Sequence, residues 1–260
     1  MMELYSVQKA AFKLARLAGQ QVMEGSRNGN RVVDFKGRRD LVTETDKLSE
    51  RYIRSNILEM FPDHGFWGEE GGRVNPEASW QWIVDPLDGT TNFVHGFPHF
   101  CVSIAVSRDG KVMAAAVHDP NRDELFGAIR GMGATLNGNP IRVSRCEKLE
   151  EAMVSTGFPY DRGSDPDDNI DEFRKVSLKT QGTRRVGAAA LDLCWVACGR
   201  LDGFWEKKLN SWDLAAGSLI LSEAGGMITA LDGGPYTIET RHVLATNGLI
   251  HDSLKDVLDD

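Results

Sequence analysis

Trp82-Ile83-Val84-Asp85-Pro86-Leu87-Asp88-Gly89-Thr90-Thr91-Asn92-Phe93 joins an apolar strand to a turn that carries two acids. The strand ends at Asp85, Pro86 stiffens the backbone, and Asp88 follows three residues on. Two carboxylates on a stiff turn repel each other unless cations sit between them. Hard oxygen donors at this spacing suit Mg²⁺ better than zinc. Gly89 lets the backbone approach a ligand closely. The amides of Thr90, Thr91 and Asn92 are predicted to open a helix and offer an anion site beside the ions. Acidic ligands next to a phosphate-sized amide nest point to metal-assisted phosphoryl chemistry. An ordinary surface turn uses the same residue types, so the reading needs support from elsewhere in the chain.

Two further acidic clusters supply it. Trp67-Gly68-Glu69-Glu70-Gly71-Gly72 sets paired glutamates between glycines, which is not a core pattern. Trp212-Asp213-Leu214-Ala215-Ala216-Gly217 opens a helical pattern, where Asp213 could also be only a helix cap. With Leu41-Val42-Thr43-Glu44-Thr45-Asp46, these motifs resemble the inositol monophosphatase family of Mg²⁺-dependent, lithium-sensitive phosphatases. The resemblance runs from about residue 5 to residue 255.

The resemblance implies a layered α-β-α-β-α sandwich of the sugar phosphatase type. It implies that Glu69, Asp85 and the Leu87 carbonyl hold a first metal, and that Asp85, Asp88 and Asp213 hold a second. A third, looser ion would share Glu69, giving two to three Mg²⁺ per site. Thr90, oriented by Asp46, would hold and deprotonate the attacking water, so Thr90, Asp46 and Glu69 carry the chemistry. Substrate would meet Asp88, Gly89, Thr90, Gly187, Ala189, Glu206 and Asp213. Glu206 could equally be a surface partner of Lys207-Lys208. The implied activity is hydrolysis of myo-inositol monophosphates, a small phosphorylated polyol being the substrate and a homodimer the working form. Thr91-Asn92-Phe93 favours that branch over fructose-bisphosphatase-like and nucleotide-bisphosphatase relatives. A broader sugar phosphatase remains the alternative, as does an added binding role in transcription antitermination, which one bacterial branch has.

Composition narrows the classes. The chain has 260 residues, 30 Lys plus Arg against 38 Asp plus Glu, and a net charge of −8. No basic run favours nucleic acid as a direct ligand. Four cysteines without a CxxC pair suggest reduced thiols and a cytoplasmic protein. The N-terminal residues lack a signal-peptide pattern, and no run approaches the length of a membrane span.

Periodicity predicts a first helix from Leu4 to Val22 with Gly25 as its stop, and a second beginning at Asp46. Strands are expected at 80–85, 101–107, 112–117, 124–130 and 134–136, forming an antiparallel sheet with helices packed on it. After 140–150 the rhythm changes to alternating strand and helix, an α/β unit. Residues 1–145 are therefore expected to form an α+β subdomain with most metal ligands, and residues 146–260 an α/β subdomain with Asp213 and the substrate wall. His95 and His99 have helical spacing but Pro98 between them, so zinc there is set aside.

Overall fold

The structure is a computed structural model that describes residues 2–27, 33–35 and 41–260. The first half runs α1 (Met2–Arg27), β1 (Val33–Phe35), β2 (Leu41–Thr43), α2 (Glu44–Met60), β3 (Gly65–Gly68), β4 (Gly72–Val74), β5 (Trp80–Asp88), α3 (Thr90–His95), β6 (Cys101–Arg108), β7 (Lys111–Asp119), β8 (Glu124–Ile129), β9 (Ala134–Leu136) and β10 (Asn139–Pro140). The second runs β11 (Met153–Thr156), α4 (Ile170–Ser177), β12 (Gly182–Arg184), α5 (Ala189–Ala197), β13 (Gly203–Glu206), α6 (Ser211–Glu223), β14 (Met227–Ala230), β15 (Val243–Thr246) and α7 (His251–Asp259).

An eight-stranded sheet has the order β10-β9-β8-β7-β6-β5-β3-β4, and a five-stranded sheet the order β12-β11-β13-β15-β14. The central strands of the large sheet are buried on both faces, so their sequences are mostly apolar runs rather than alternating, with polar residues such as Asp85, Ser103 and His118 as exceptions. Trp82 and Val84 of β5 pack with Val7, Leu14 and Val22 of α1. Ile83, between them, packs on the opposite face with Leu193 of α5 and Leu214 and Leu219 of α6. The outer face of the small sheet packs with α4 and α7 through Val154, Val176, Leu244 and Leu254. The result is the expected five-layer α-β-α-β-α sandwich. The two sheets fall on either side of residues 140–150, but α5 and α6 share one core with the large sheet.

Several local expectations are corrected. The large sheet is not wholly antiparallel, because β3 runs parallel to β5. The small sheet is mixed: β11 lies parallel to β12 and β13, while β15 runs antiparallel to β13 and β14. Gly25 does not stop α1, which continues to Arg27. A Cβ at Gly25 would lie 2.8 Å from Thr45 Oγ1, so this glycine serves close packing against the start of α2. His99 is a buried core residue in T-shaped contact with Trp195, and burial pushes its pKa down to about 4.

Candidate active site

The turn after β5 brings both of its acids to one face by a register shift. Asp85 pairs with Ser103 and Asp88 with Cys101, so three steps along β5 match two along β6. In a regular strand, residues three apart point to opposite faces. The bulge removes that alternation. Asp88 thus reaches the α5 side, where its Oδ2 accepts the Ala190 N–H at 2.8 Å. The Leu87 N–H donates to Asp85 Oδ1 at 2.9 Å, and Ser49 Oγ donates to the Pro86 carbonyl at 3.0 Å, fixing the turn from both sides. Gly89 then adopts φ +94, where a side chain would be strained and its Cβ would lie 3.0 Å from the His99 carbonyl.

Thr90 opens α3, and its hydroxyl donates to Asp46 Oδ1 at 3.0 Å. The Leu87 carbonyl is a second acceptor at 3.1 Å, but a hydroxyl has one proton and the carboxylate is the stronger acceptor. Asp46 is buried behind Thr90 and does two jobs with two oxygens. Its Oδ2 accepts the Thr43 N–H at 2.8 Å and the Thr43 hydroxyl, the capping box of α2. Asp46 therefore serves the helix start through one oxygen only, and the helix begins not at Asp46 but two residues before it, at Glu44. Burial raises the Asp46 pKa, and the Thr43 bonds oppose that rise. Asp213 is built the same way. It is the third residue of α6, not its cap, and its Oδ2 accepts the Asn210 N–H at 2.7 Å.

Glu69, Asp85, Leu87, Asp88, Gly89, Thr90, Gly187, Ala189, Glu206 and Asp213 all line one cleft of about 320 Å³. Asn92 ties its two sides together, donating to the His99 carbonyl at 2.7 Å and the Val186 carbonyl at 2.8 Å. Gly187, with φ +87, follows that second tether and leads into α5. Glu206 faces the cleft and not the lysines, whose amines pair with Asp161, Asp165, Asp167 and Glu172.

The acids raise one another. Burial first, then the charges of Glu69, Asp88 and Asp213, push Asp85 well above the carboxylate range. Burial first, with Glu69 adding and the Ala190 N–H opposing, moves Asp88 to about 6. Burial and Asp88 move Asp213 to about 7, and its carboxyl hydrogen-bonds Asp85. Burial also raises Glu206 to about 8, against the opposing charge of Arg185. The charges of Asp213 and Asp88 add to that rise but are smaller than the effect of burial.

These oxygens fit a hard divalent cation, whose charge would relieve the mutual repulsion. Among the described residues, no three His, Cys, Asp or Glu side chains form a cluster tight enough to hold an ion as they stand. The acids share a cleft wall without closing into a shell.

Three residues of the site escape a reading of the sequence. Glu50 is buried and accepts the Glu70 N–H at 2.7 Å, so it shapes the turn that presents Glu69. A Cβ at Gly68 or Gly71 would meet the Glu50 carboxylate at 2.3 or 2.5 Å, which explains the glycines around the glutamates. Its place four residues after Asp46, on one helical face, is the available signal. Arg185 lines the cleft, and Asp192 is buried on α5, its pKa raised by burial and by Glu206.

A sequence profile described as "Inositol monophosphatase family" matches residues 3–258. The chain is 45% identical over 240 residues to a Synechocystis protein named inositol-1-monophosphatase, covering 92% of this chain and 80% of that one. It is 44% identical to a Pseudomonas aeruginosa protein named Nus factor SuhB, covering 91% of this chain and 90% of that one. The solved structure of an inositol monophosphatase from Anabaena superposes with a TM-score of 0.90 at 42% identity, covering 99% and 96% of the two chains.

Proposed function

The chain belongs to the inositol monophosphatase family, and from that premise we propose that this phosphatase hydrolyses myo-inositol monophosphates by direct attack of water, with Mg²⁺ bound at its carboxylates. The observation that carries this reading is the common cleft: the Asp85-Asp88-Asp213 group, the Thr90-Asp46 pair and Glu206 all serve one space. Glu69, Asp85 and the Leu87 carbonyl would hold one ion, and Asp85, Asp88 and Asp213 a second. A third would share Glu69. Bound Mg²⁺ supplies Lewis acidity at the phosphoryl group and makes water a better nucleophile at neutral pH.

The chain's own residues do the rest. Because Thr90 Oγ1 gives its proton to Asp46 Oδ1, its lone pairs are free to accept a hydrogen bond from the attacking water. As water attacks, the bond from phosphorus to the polyol oxygen breaks; the water's proton passes to Thr90 Oγ1, the Thr90 proton moves toward Asp46 Oδ1, and the departing alkoxide takes a proton from solvent water. The Gly89 and Thr90 amides receive phosphoryl oxygens. Gly187, Ala189 and Glu206 form the wall that meets the polyol hydroxyls. No nucleophilic side chain is used, so no phosphoenzyme forms.

Phosphate release across inositol 1-phosphate, fructose 1,6-bisphosphate, histidinol phosphate and a nucleotide bisphosphate, with Mg²⁺ or EDTA, tests the proposal. Inositol 1-phosphate ranking below the others, or turnover that persists in EDTA, refutes it. We also place the enzyme in the cytoplasm as a homodimer, the latter checked by size-exclusion chromatography with light scattering. The 44% identity to a protein named Nus factor SuhB supports a second, additional role with the transcription machinery. Pull-down of transcription factors by wild type and by Asp85→Asn separates that role from catalysis.

A further inference from the structure

Glu206 is followed by two lysines that the chemistry above does not use. Lys207 Nζ lies 2.6 Å from Glu172 Oε1 and also contacts Asp167 Oδ1, and its side chain is only 11% exposed. Lys208 Nζ lies 2.8 Å from Asp165 Oδ2 and 3.0 Å from Asp161 Oδ2. All four carboxylates belong to residues 161–172, a segment that starts just after Phe158, Pro159 and Tyr160 on the cleft.

An exposed ion pair contributes little, but this is not a scattered set. Each lysine bridges two acids, and Lys207 is largely enclosed. Lys208 holds φ +59, a conformation that disfavours any side chain, yet it carries a long one. The far end of the segment is fixed to β13 by Asn169, which accepts the Trp205 indole N–H at 2.8 Å, while its donation to the Gly157 carbonyl at 2.6 Å closes the segment on itself. Its near end presses on Glu206, since a Cβ at Gly157 would lie 2.0 Å from that carboxylate. Moving the segment therefore moves the wall beside Glu206.

Two lysines in a phosphatase cleft invite another reading, a receptor for a second phosphate. Charge decides against it. Two cations face four carboxylates, which leaves the group net negative. Neither amine has charge to spare for an anion.

Resting on the proposed activity, we propose that Lys207 and Lys208 are positioning residues that clamp residues 157–169 as the polyol wall of the cleft. The wall's negative balance selects esters with one phosphate on an otherwise uncharged polyol. The test is the double variant Lys207→Met/Lys208→Gly, in which glycine suits the backbone at 208, with Lys207→Arg as the charge-conserving control. Amide hydrogen exchange of residues 158–168 is expected to rise about tenfold or more in the double variant and to stay near wild type in Lys207→Arg. KM for inositol 1-phosphate is expected to rise about tenfold with kcat changed less than about twofold, while KM for glycerol 2-phosphate moves little. Exchange is read without substrate, so it decides the clamp whichever ester the wild type prefers. Unchanged exchange overturns the clamp. Selective loss of inositol 1,4-bisphosphate turnover in the double variant, with inositol 1-phosphate spared, overturns the charge argument by making the lysines phosphate receptors.

Discussion

Asp46→Asn separates the two tasks of one side chain. Two donors of Thr43 face Oδ2, so the oxygen of the substituted amide would settle there and keep the helix cap. The amide nitrogen would then occupy the place of Oδ1, 3.0 Å from Thr90 Oγ1. The hydrogen bond reverses: Thr90 becomes the acceptor, and its own proton turns to the Leu87 carbonyl. One of its two lone pairs is then taken, and the amide cannot receive the proton that the relay passes on. A general-base contribution is about 10²–10⁴-fold, or about 3–5 kcal/mol of barrier. We expect kcat to fall by that factor at saturating Mg²⁺, with KM changed less than about threefold. The fold should lose only the difference between a charged and a neutral acceptor, about 1 kcal/mol. Thr90→Ala should fall as far, and the double variant no further, because the pair acts as one unit. Steady-state kinetics of the three variants, with thermal melts as the control, make the measurement. A kcat within about fivefold of wild type in Asp46→Asn, or a double variant that loses the product of the single effects, refutes the relay.

The elevated acids give a stability prediction with a definite sign. Asp85, Asp88, Asp213 and Glu206 bind protons more tightly folded than unfolded, which costs stability as pH rises from about 4 through about 8. Burial lowers His64, His99, His118, His242 and His251, which act the other way up to about pH 6.5, so in EDTA the melting temperature should fall as pH rises from about 6.5 through about 8. Added Mg²⁺ should restore most at pH 8; a melting temperature in EDTA that rises over this range contradicts the proposed repulsion. Asp85→Asn should abolish Mg²⁺-dependent turnover while raising the EDTA melting temperature at pH 8, and near-normal activity in the purified variant would sink the shared-ligand role. Glu206→Ala should lower kcat/KM for inositol 1-phosphate about twofold to tenfold at pH 7, from one lost hydrogen bond of about 0.5–1.5 kcal/mol to a carboxyl whose pKa is about 8; an equal loss with glycerol 2-phosphate would show that Glu206 supports the metals or the fold. Lithium should inhibit at fixed Mg²⁺, and full activity at millimolar LiCl would mean an altered site at Asp85, Asp88 and Asp213.

What can be read along the chain is what the chain keeps local. Asp85, Asp88 and Gly89 are near neighbours, and Asp213 opens a helix with a plain apolar pattern, so their spacing is visible in sequence. The alternation of strand and helix after residue 150 is legible too, and Gly203–Glu206 is one of its strands. Strands β3 and β4 are not legible, because three or four residues carry too little periodicity. Strand β15 and helix α7 also escape the pattern, the helix because its apolar stripe is only Leu254, Leu258 and their neighbours. Glu50 looks like any solvated helix residue until β3 folds against it. The clamp at Lys207 and Lys208 is illegible for the same reason: its partners lie some 35–47 residues upstream, and only the register of β13 beside β11 brings them close.

Asp46 and Asp213 share a design with a cost in mutability. Each hangs from the third position of a helix, with one oxygen moored to the backbone ahead of it. The mooring freezes the side-chain torsions during folding, so the entropy of ordering the acid is already spent before any ligand arrives. It also makes side-chain length matter more than charge. A glutamate at either site would keep the formal charge, yet one added methylene cannot hold the backbone amide and deliver the second oxygen to the same point. At these two positions the conservative exchange of acid for acid should be no gentler than removing the charge.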